Sequence, residues 1–491
     1  MKRLEYKYIV ALVAVLGLFM ELLDMTIINV AVPTLAKDFK AGPTTIEWVV
    51  TGYLLSLAVF IPVSGWAGDR FGTKRTFTFA LGMFTFSSIL CAFAWNVESL
   101  IAFRALQGVG GGMLTPVGFS MVYRAFPPHE RARASSLMVI PTTVAPASGP
   151  VVGGLLIDTL SWQWIFLVNI PVGILGLVIA TKYLKEHKEP DAGKLDVPGF
   201  VLAAAGLGSI LYALAEAGTR GFDDTRVLLF GAAGIALMVS FVFVELRSRL
   251  PMIDVRLFRD NLFRSCNLAQ FAGQTGFAGS LFLLPIMLQS ERGLSPLDSG
   301  LATFPMAIGV MSMAPFVGRL YPKVGPRRLV AAGLFISTIT TLAFLLMDLE
   351  TNLWWIRLTM YIRGLGFGMM LVPLQAATFG TIKPQDTGRA SAIYTTGRQV
   401  AQSFGIAIVA TVLATRLVDH GAGGLGPAGD SHAALMAFHD AFFAASVLGF
   451  IGIIVALVFI SDREAAPTMR ARGAAAPPAE GAVGEPVAAA H

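Results

Sequence analysis

The chain has 491 residues, 55% of them hydrophobic and 14% charged, with a formal net charge of +6. An ordinary soluble domain carries roughly 25% charged residues, so composition excludes a water-soluble enzyme. The basic excess is spread over many short connections rather than gathered in one patch, which points to membrane topology and excludes a nucleic-acid-binding face.

About fourteen apolar stretches long enough to cross a bilayer are expected, at 8–36, 46–67, 74–95, 99–123, 134–157, 162–184, 196–217, 227–246, 263–289, 300–320, 329–347, 353–379, 387–417 and 438–460. The first follows Lys2, Arg3 and Lys7, as a signal peptide would. It is too long for a cleaved segment and carries Glu21 and Asp24, so it reads as a retained helix. Assigning alternate gaps to one side collects about 27 Lys and Arg there, among them Arg124, Arg131, Arg133, Arg247, Arg249, Arg256, Arg259, Arg327 and Arg328, against about six opposite. That side is expected to be cytoplasmic and to hold both termini of a multi-pass protein of the cell membrane. Cys91 and Cys266 fall near opposite faces by this count, so they form neither a mutual disulfide nor a zinc site.

Two halves recur at a spacing of about 256 residues. Arg133-Ala134-Ser135 returns as Arg389-Ala390-Ser391, and Gly108, Gly110, Gly112 return as Gly364, Gly366, Gly368. Six helices per half would repeat at about 200 residues, so the surplus requires an insert of two further helices. The expected organisation is a six-helix bundle over 1–190, two inserted helices over 191–255, a second six-helix bundle over 256–461 and a disordered cytoplasmic tail over 462–491, which is rich in Ala, Pro and Gly. The Gly-rich connection 419–432 is expected to be mobile.

Ionisable groups inside apolar helices cost roughly 2.5 to 3.5 kcal/mol each, so those present need a reason. Glu21 and Asp24 lie three residues apart on one helical face, where two carboxylates cannot comfortably both ionise. The pair is a candidate proton acceptor; a packing ion pair with an arginine is the other reading. Arg104, Arg363 and Arg398 also fall inside apolar segments. Arg104 cannot release its proton, so its work is electrostatic, and rise per residue leaves Asp24 within reach of its long side chain. Gly65-Trp66-Ala67-Gly68-Asp69-Arg70-Phe71-Gly72-Thr73-Lys74-Arg75 joins the second and third helices, with glycines for a tight turn and an acid at the positive end of the third helix. A worn copy runs over 318–328. Ala145, Gly149 and Gly153 recur at every fourth residue among Pro146, Pro150 and Gly154, allowing close approach in a bent helix.

These stretches resemble the major facilitator superfamily, and within it the fourteen-helix drug/proton antiporter branch of QacA-like and EmrB-like exporters. Leu23 to Pro33 resembles that branch's first-helix motif; Gly65 to Arg75, with Asp69, Arg70, Gly72, Lys74 and Arg75, matches motif A; Arg104, Gln107 and Gly108 match motif B; Gly149, Pro150, Gly153 and Gly154 match motif C. Ala145 and Thr73 depart from the usual glycine and basic residue of motifs C and A. The resemblance implies an all-α polytopic membrane protein with the major facilitator fold, two six-helix bundles plus two inserted helices. It also implies export by alternating access, with Arg104 in proton coupling and Asp24 in proton or cation binding.

The expected function is proton-coupled export of small amphipathic compounds such as drugs or antibiotics, driven by the proton motive force without a cofactor or metal. Cargo is expected near mid-membrane beside Asn29, Gln270, Gln274, Arg363 and Arg398. A dedicated exporter of one endogenous metabolite or lipid is the alternative, favoured if Arg363 and Arg398 face the cavity. An intramembrane enzyme is disfavoured because His129, His187, His420, His432, His439 and His491 lie in loops, tails or at a helix margin. The partners implied are small molecules, protons and the lipid bilayer, and the sequence identifies no accessory export protein.

Overall fold

Apolar stretches in lipid must satisfy every backbone N–H and C=O internally, and helices do so. The computed structural model describes residues 5–41, 43–189, 195–248, 251, 253–422 and 430–469. The first half comprises α1 (Tyr6–Asp38), α2 (Pro43–Phe71), α3 (Thr73–Ala92), α4 (Val97–Ala125), α5 (Arg131–Thr159) and α6 (Trp164–Tyr183). Next come α7 (Val197–Arg220) and α8 (Thr225–Arg247). The second half comprises α9 (Asn261–Ser290), α10 (Leu297–Val324), α11 (Pro326–Ala343), α12 (Leu353–Thr378), α13 (Thr387–Asp419) and α14 (Ser431–Phe459). Polar caps start many of them: Asn96 accepts from Ser99 N at 2.8 Å in a capping box on α4, and Asp196, Asp224, Asp260, Asn352 and Asp430 cap α7, α8, α9, α12 and α14.

Among the described residues, eleven helices are long and apolar enough to cross a membrane, or twelve with α5, which bends by 41° between Arg131–Pro146 and Val151–Ile157. The fourteen expected spans exceed that number because α4 and α12, though 29 and 26 residues long, are interrupted by glycines and hold the buried Arg104 and Arg363. They are interior helices: α4 packs against α1, α2 and α3, and α12 against α10 and α11. One apolar core lies mainly in each half, and each reaches across: Ala132 and Val139 join the second, Phe379 and Tyr394 the first. The inserted α7 lies against α2 and α13, so it touches both halves, whereas α8 packs on α7 and leaves Leu228, Leu229, Ile235 and Phe243 exposed on its outer face.

The halves meet through α2 with α13, α5 with α10 and α12, and α4 with α13. At the end that holds the α2–α3, α4–α5 and α12–α13 connections, here the basic end, Phe119 and Tyr123 of α4 interlock with Phe379 and with Tyr394 of α13. The Tyr123 and Phe379 rings stack at 4.3 Å. Hydroxyls reach across as well, Ser391 to the Pro116 carbonyl at 2.8 Å and Ser136 to the Ala314 carbonyl at 2.9 Å. At this end the two halves are packed against each other.

The tail expected to lose structure from residue 462 is ordered through Met469. Asp462 Oδ1 accepts from Arg327 N at the start of α11 (3.0 Å), and Thr468 shares a 2.7 Å hydrogen bond with Tyr321. Residues 470–491 and 423–429, for which disorder and mobility were expected, lie outside the described residues. Cys91 and Cys266 are both buried and free.

Candidate functional site

One turn of α1 carries Glu21 and Asp24, and α4 brings Arg104 and Gln107 to the same depth three residues apart. Asp24 and Arg104 are 1% and 0% exposed. Arg104 Nη1 donates to Asp24 Oδ2 at 2.5 Å and to Gln107 Oε1 at 2.7 Å, and Arg104 Nε donates to the Val49 carbonyl of α2 at 3.2 Å. The other Asp24 oxygen accepts from Gln107 Nε2 and from Asn169 Nδ2 of α6, each at 3.0 Å. Both amides also donate to Ser88 Oγ of α3, at 2.8 and 3.3 Å. The Tyr53 ring of α2 lies 4.2 Å from the guanidinium carbon. Five helices thus share one polar network around Asp24, whose carboxylate accepts from α4 and α6, and the acid of the first helix is itself the ion-pair partner of Arg104. Sequence reading missed Ser88, Asn169 and Tyr53. Asn169 left a signal, an amide in an otherwise apolar stretch; Ser88 and Tyr53 left none.

Glu21 does not share Asp24's partners. Its Oε2 accepts from Thr115 Oγ1 of α4 at 2.6 Å, and the cation acting on it is Arg398 of α13, in the other half. Gln270 of α9 donates to the Tyr394 carbonyl at 3.3 Å. Among the described residues, Gln270 Oε1, Gln274 Oε1 and Arg398 Nε are buried without a hydrogen-bond partner. The Asn29 and Pro150 side chains lie outside the described residues. Arg363 is placed elsewhere than expected. It sits inside the second half, donating to Thr341 Oγ1 of α11 at 2.6 Å and to the Phe277 carbonyl of α9 at 3.2 Å, and bonding Ser280 of α9. It does not face the seam between the halves, because all of these partners belong to its own half.

At the basic end, Asp69 pairs with Arg124 of α4 at 3.1 Å, and Arg124 also holds Glu189 at 2.9 Å. Gly388, in the first turn of α13, lies against both Asp69 and Gly65; a Cβ on Gly65 would come within 2.9 Å of its carbonyl oxygen. Asp69 therefore meets the positive end of α13, across the seam. The acid on α3 is Glu186, which follows α6 and accepts from Lys74 N at 3.0 Å and Arg75 N at 3.2 Å. Gly72 has φ 100°, and any Cβ there would collide with Glu186. Lys74 Nζ donates to the Thr181 carbonyl at 2.7 Å, while Arg70 and Arg75 are exposed.

The glycines set the helix spacing. A Cβ on Gly108 would lie 2.6 Å from the Tyr53 carbonyl of α2, and one on Gly110 2.6 Å from the Ala80 carbonyl of α3. In the second half Gly364 presses on Met306 of α10 and Gly366 on Gly333 of α11 in the same alternation. Gly149 and Gly153 of α5 pack on Thr26 and Ile27 of α1, next to the buried acids, whereas Gly154 faces open space. Among the described residues no cluster of three or more His, Cys, Asp or Glu is placed to hold a metal.

Residues 14–406 match the family model described as Major Facilitator Superfamily. The chain is 36% identical over 405 residues to "Multidrug resistance protein B homolog" of Mycobacterium tuberculosis, covering 82% of this chain and 75% of that one. It is 30% identical over 397 residues to "Putative multidrug resistance protein MdtD" of Serratia proteamaculans, covering 81% and 83%. In fold it resembles the proton:xylose symporter XylE, with TM-score 0.66 at 15% identity over 94% of this chain and 98% of that one. It likewise resembles the human organic anion transporter TETRAN, with TM-score 0.65 at 16% identity over 92% and 99%. A polytopic helical chain with this match along most of its length, and with relatives named for multidrug resistance, is a membrane transporter rather than an enzyme, and it belongs to the Major Facilitator Superfamily.

Proposed function

We propose that the protein is a proton-coupled antiporter that exports small amphipathic compounds by alternating access. The observation that carries this reading is the buried Asp24–Arg104 pair with its amide and hydroxyl partners on α3, α4 and α6. A proton reaching Asp24 removes its charge and therefore the attraction of Arg104, which stays charged and falls back on Val49, Gln107 and the Tyr53 ring. The helices that the carboxylate ties together are then free to shift. Loss of that proton on the other side restores the pair and resets the cycle.

In this reading α4 and α12 also cross the bilayer, giving fourteen spans, with the halves over 1–190 and 256–461, residues 462–469 folded back onto the second, the inserted pair over 191–255 and both termini cytoplasmic. The aromatic closure and the Asp69–Arg124 latch then form the inner gate. Cargo binds between the halves, where Glu21 lies buried and Gln270, Gln274 and Arg398 offer buried polar atoms without partners. The single acid among them, set beside Arg398, suits cargo with modest or no net charge. Arg363 takes no part in cargo binding.

The test is transport in proteoliposomes with an imposed pH gradient, comparing the parent with Asp24→Asn. Accumulation of a lipophilic fluorescent cargo should follow the gradient in the parent and fall at least about tenfold in the variant, a loss of roughly 1.4 kcal/mol of coupling. If vesicles carrying the Asp24→Asn variant concentrate cargo as well as the parent, Asp24 is not the coupling group.

A further inference from the structure

The second half contains a buried cation, Arg363, that among the described residues has no acid beside it. At the spacing of about 256 residues, Asp24 of α1 corresponds to Ser280 of α9 and Gln107 of α4 to Arg363 of α12. At the spacing of about 253 that relates the glycine-basic joints, Ser88 of α3 corresponds to Thr341 of α11. The contacts recur in both halves: Gln107 bonds Asp24 and Ser88, and Arg363 bonds Ser280 and Thr341. The charge is inverted, because the acid has gone and a cation has arrived. Among the described residues every hydrogen-bond partner of Arg363 is a hydroxyl or a carbonyl, and the Phe277 ring lies 4.9 Å away. A guanidinium cannot shed its proton to escape burial, and an uncompensated buried charge is strongly destabilising.

Among the described residues, Arg363 Nε and Ser337 Oγ of α11 are buried without partners, and both residues line one narrow cavity together with Gly273, Thr338 and Gly449. A Cβ on Gly449 would run into the Thr338 hydroxyl, so this glycine is what lets α14 approach α11 at the cavity wall. Where α6 of the first half supplies the Asn169 amide to its carboxylate, α14 lines this cavity with Ala445 and Gly449. The cavity has room for about one water-sized particle, which suits a monatomic ion and excludes an organic cargo.

We propose that a chloride ion occupies this cavity, accepting hydrogen bonds from Arg363 Nε and Ser337 Oγ and supplying in the second half the negative charge that Asp24 supplies in the first. The site is structural and does not depend on the proposed transport cycle.

The test is thermal unfolding of the full-length purified protein in gluconate buffer, titrated with sodium chloride or bromide at constant ionic strength. The parent should show a saturable rise in Tm of several degrees with either halide. In Ser337→Ala the half-saturating concentration should rise about tenfold, the effect of one lost charge-assisted hydrogen bond. Ser280→Asp, which restores the acid of the first half, should reach the parent's chloride-bound Tm in gluconate and respond to neither halide. A parent Tm that is the same in chloride and gluconate would overturn the proposal. So would a Ser337→Ala variant that titrates like the parent, a reading that stands even if the aspartate variant does not fold.

Discussion

Asp24 receives three donors, Arg104, Gln107 and Asn169, and each was readable from the chain to a different degree. Asp24 and Arg104 stood out because a charge in an apolar stretch is costly; that they touch followed only from how the helices pack. Arg104→Lys should lower gradient-driven transport about tenfold or more while the protein still folds, since an ammonium cannot bridge Asp24, Gln107 and the Val49 carbonyl at once or lie flat on Tyr53. Transport against unfolding temperature separates the two effects. Outside the membrane, burial pulls the Glu189 carboxyl upward, but its hydrogen bond with His187 and the charge of Arg124 outweigh this and hold it below the usual carboxylate range. A depressed acid stabilises the folded state above its ordinary value near 4.5, and that contribution is lost as pH falls through the depressed one. Unfolding followed from pH 7 to pH 3 should show Glu189→Gln less stable at neutral pH and less sensitive to acid than the parent.

Helices here are spaced by missing side chains. Gly110→Ala drives a methyl group into the α3 backbone and should cost about 1–3 kcal/mol, seen as a Tm lowered by several degrees. Gly154→Ala meets nothing within 4 Å and should be close to neutral. The two glycines look alike in sequence, and only the packing tells them apart. The same limit applied to Asp69: its spacing marked it as a helix-end acid, but the helix it meets comes from the other half of the chain, about 320 residues on, a distance that no local pattern encodes. Asp69→Asn should loosen this latch. With a Ser120→Cys reporter, at a position 2% exposed in this structure, labelling by a hydrophilic maleimide should rise about fivefold, a population shift of roughly 1 kcal/mol.

For the molecule as a whole, the all-helical, many-span character was legible because a bilayer imposes long apolar runs on any chain that crosses it. Composition alone accounts for eleven or twelve spans, since α4 and α12 trade apolar character for glycine and a buried arginine. Those two helices form the interior of each half, and interior helices are the ones least obliged to look like membrane segments. Poor apolar content after residue 461 predicts a loose tail, yet Asp462 and Thr468 are tied into α11 and α10. Glu186 and Asp462 thereby play one role twice, each closing its half by returning from the sixth helix to the start of the third. During synthesis, then, neither half is complete until its closing acid has emerged from the ribosome, the first at residue 186 and the second at residue 462. Nonsense codons a few residues apart should therefore differ sharply in outcome, a stop after Met469 leaving normal yields in the membrane and a stop before Asp462 sending the product to proteolysis.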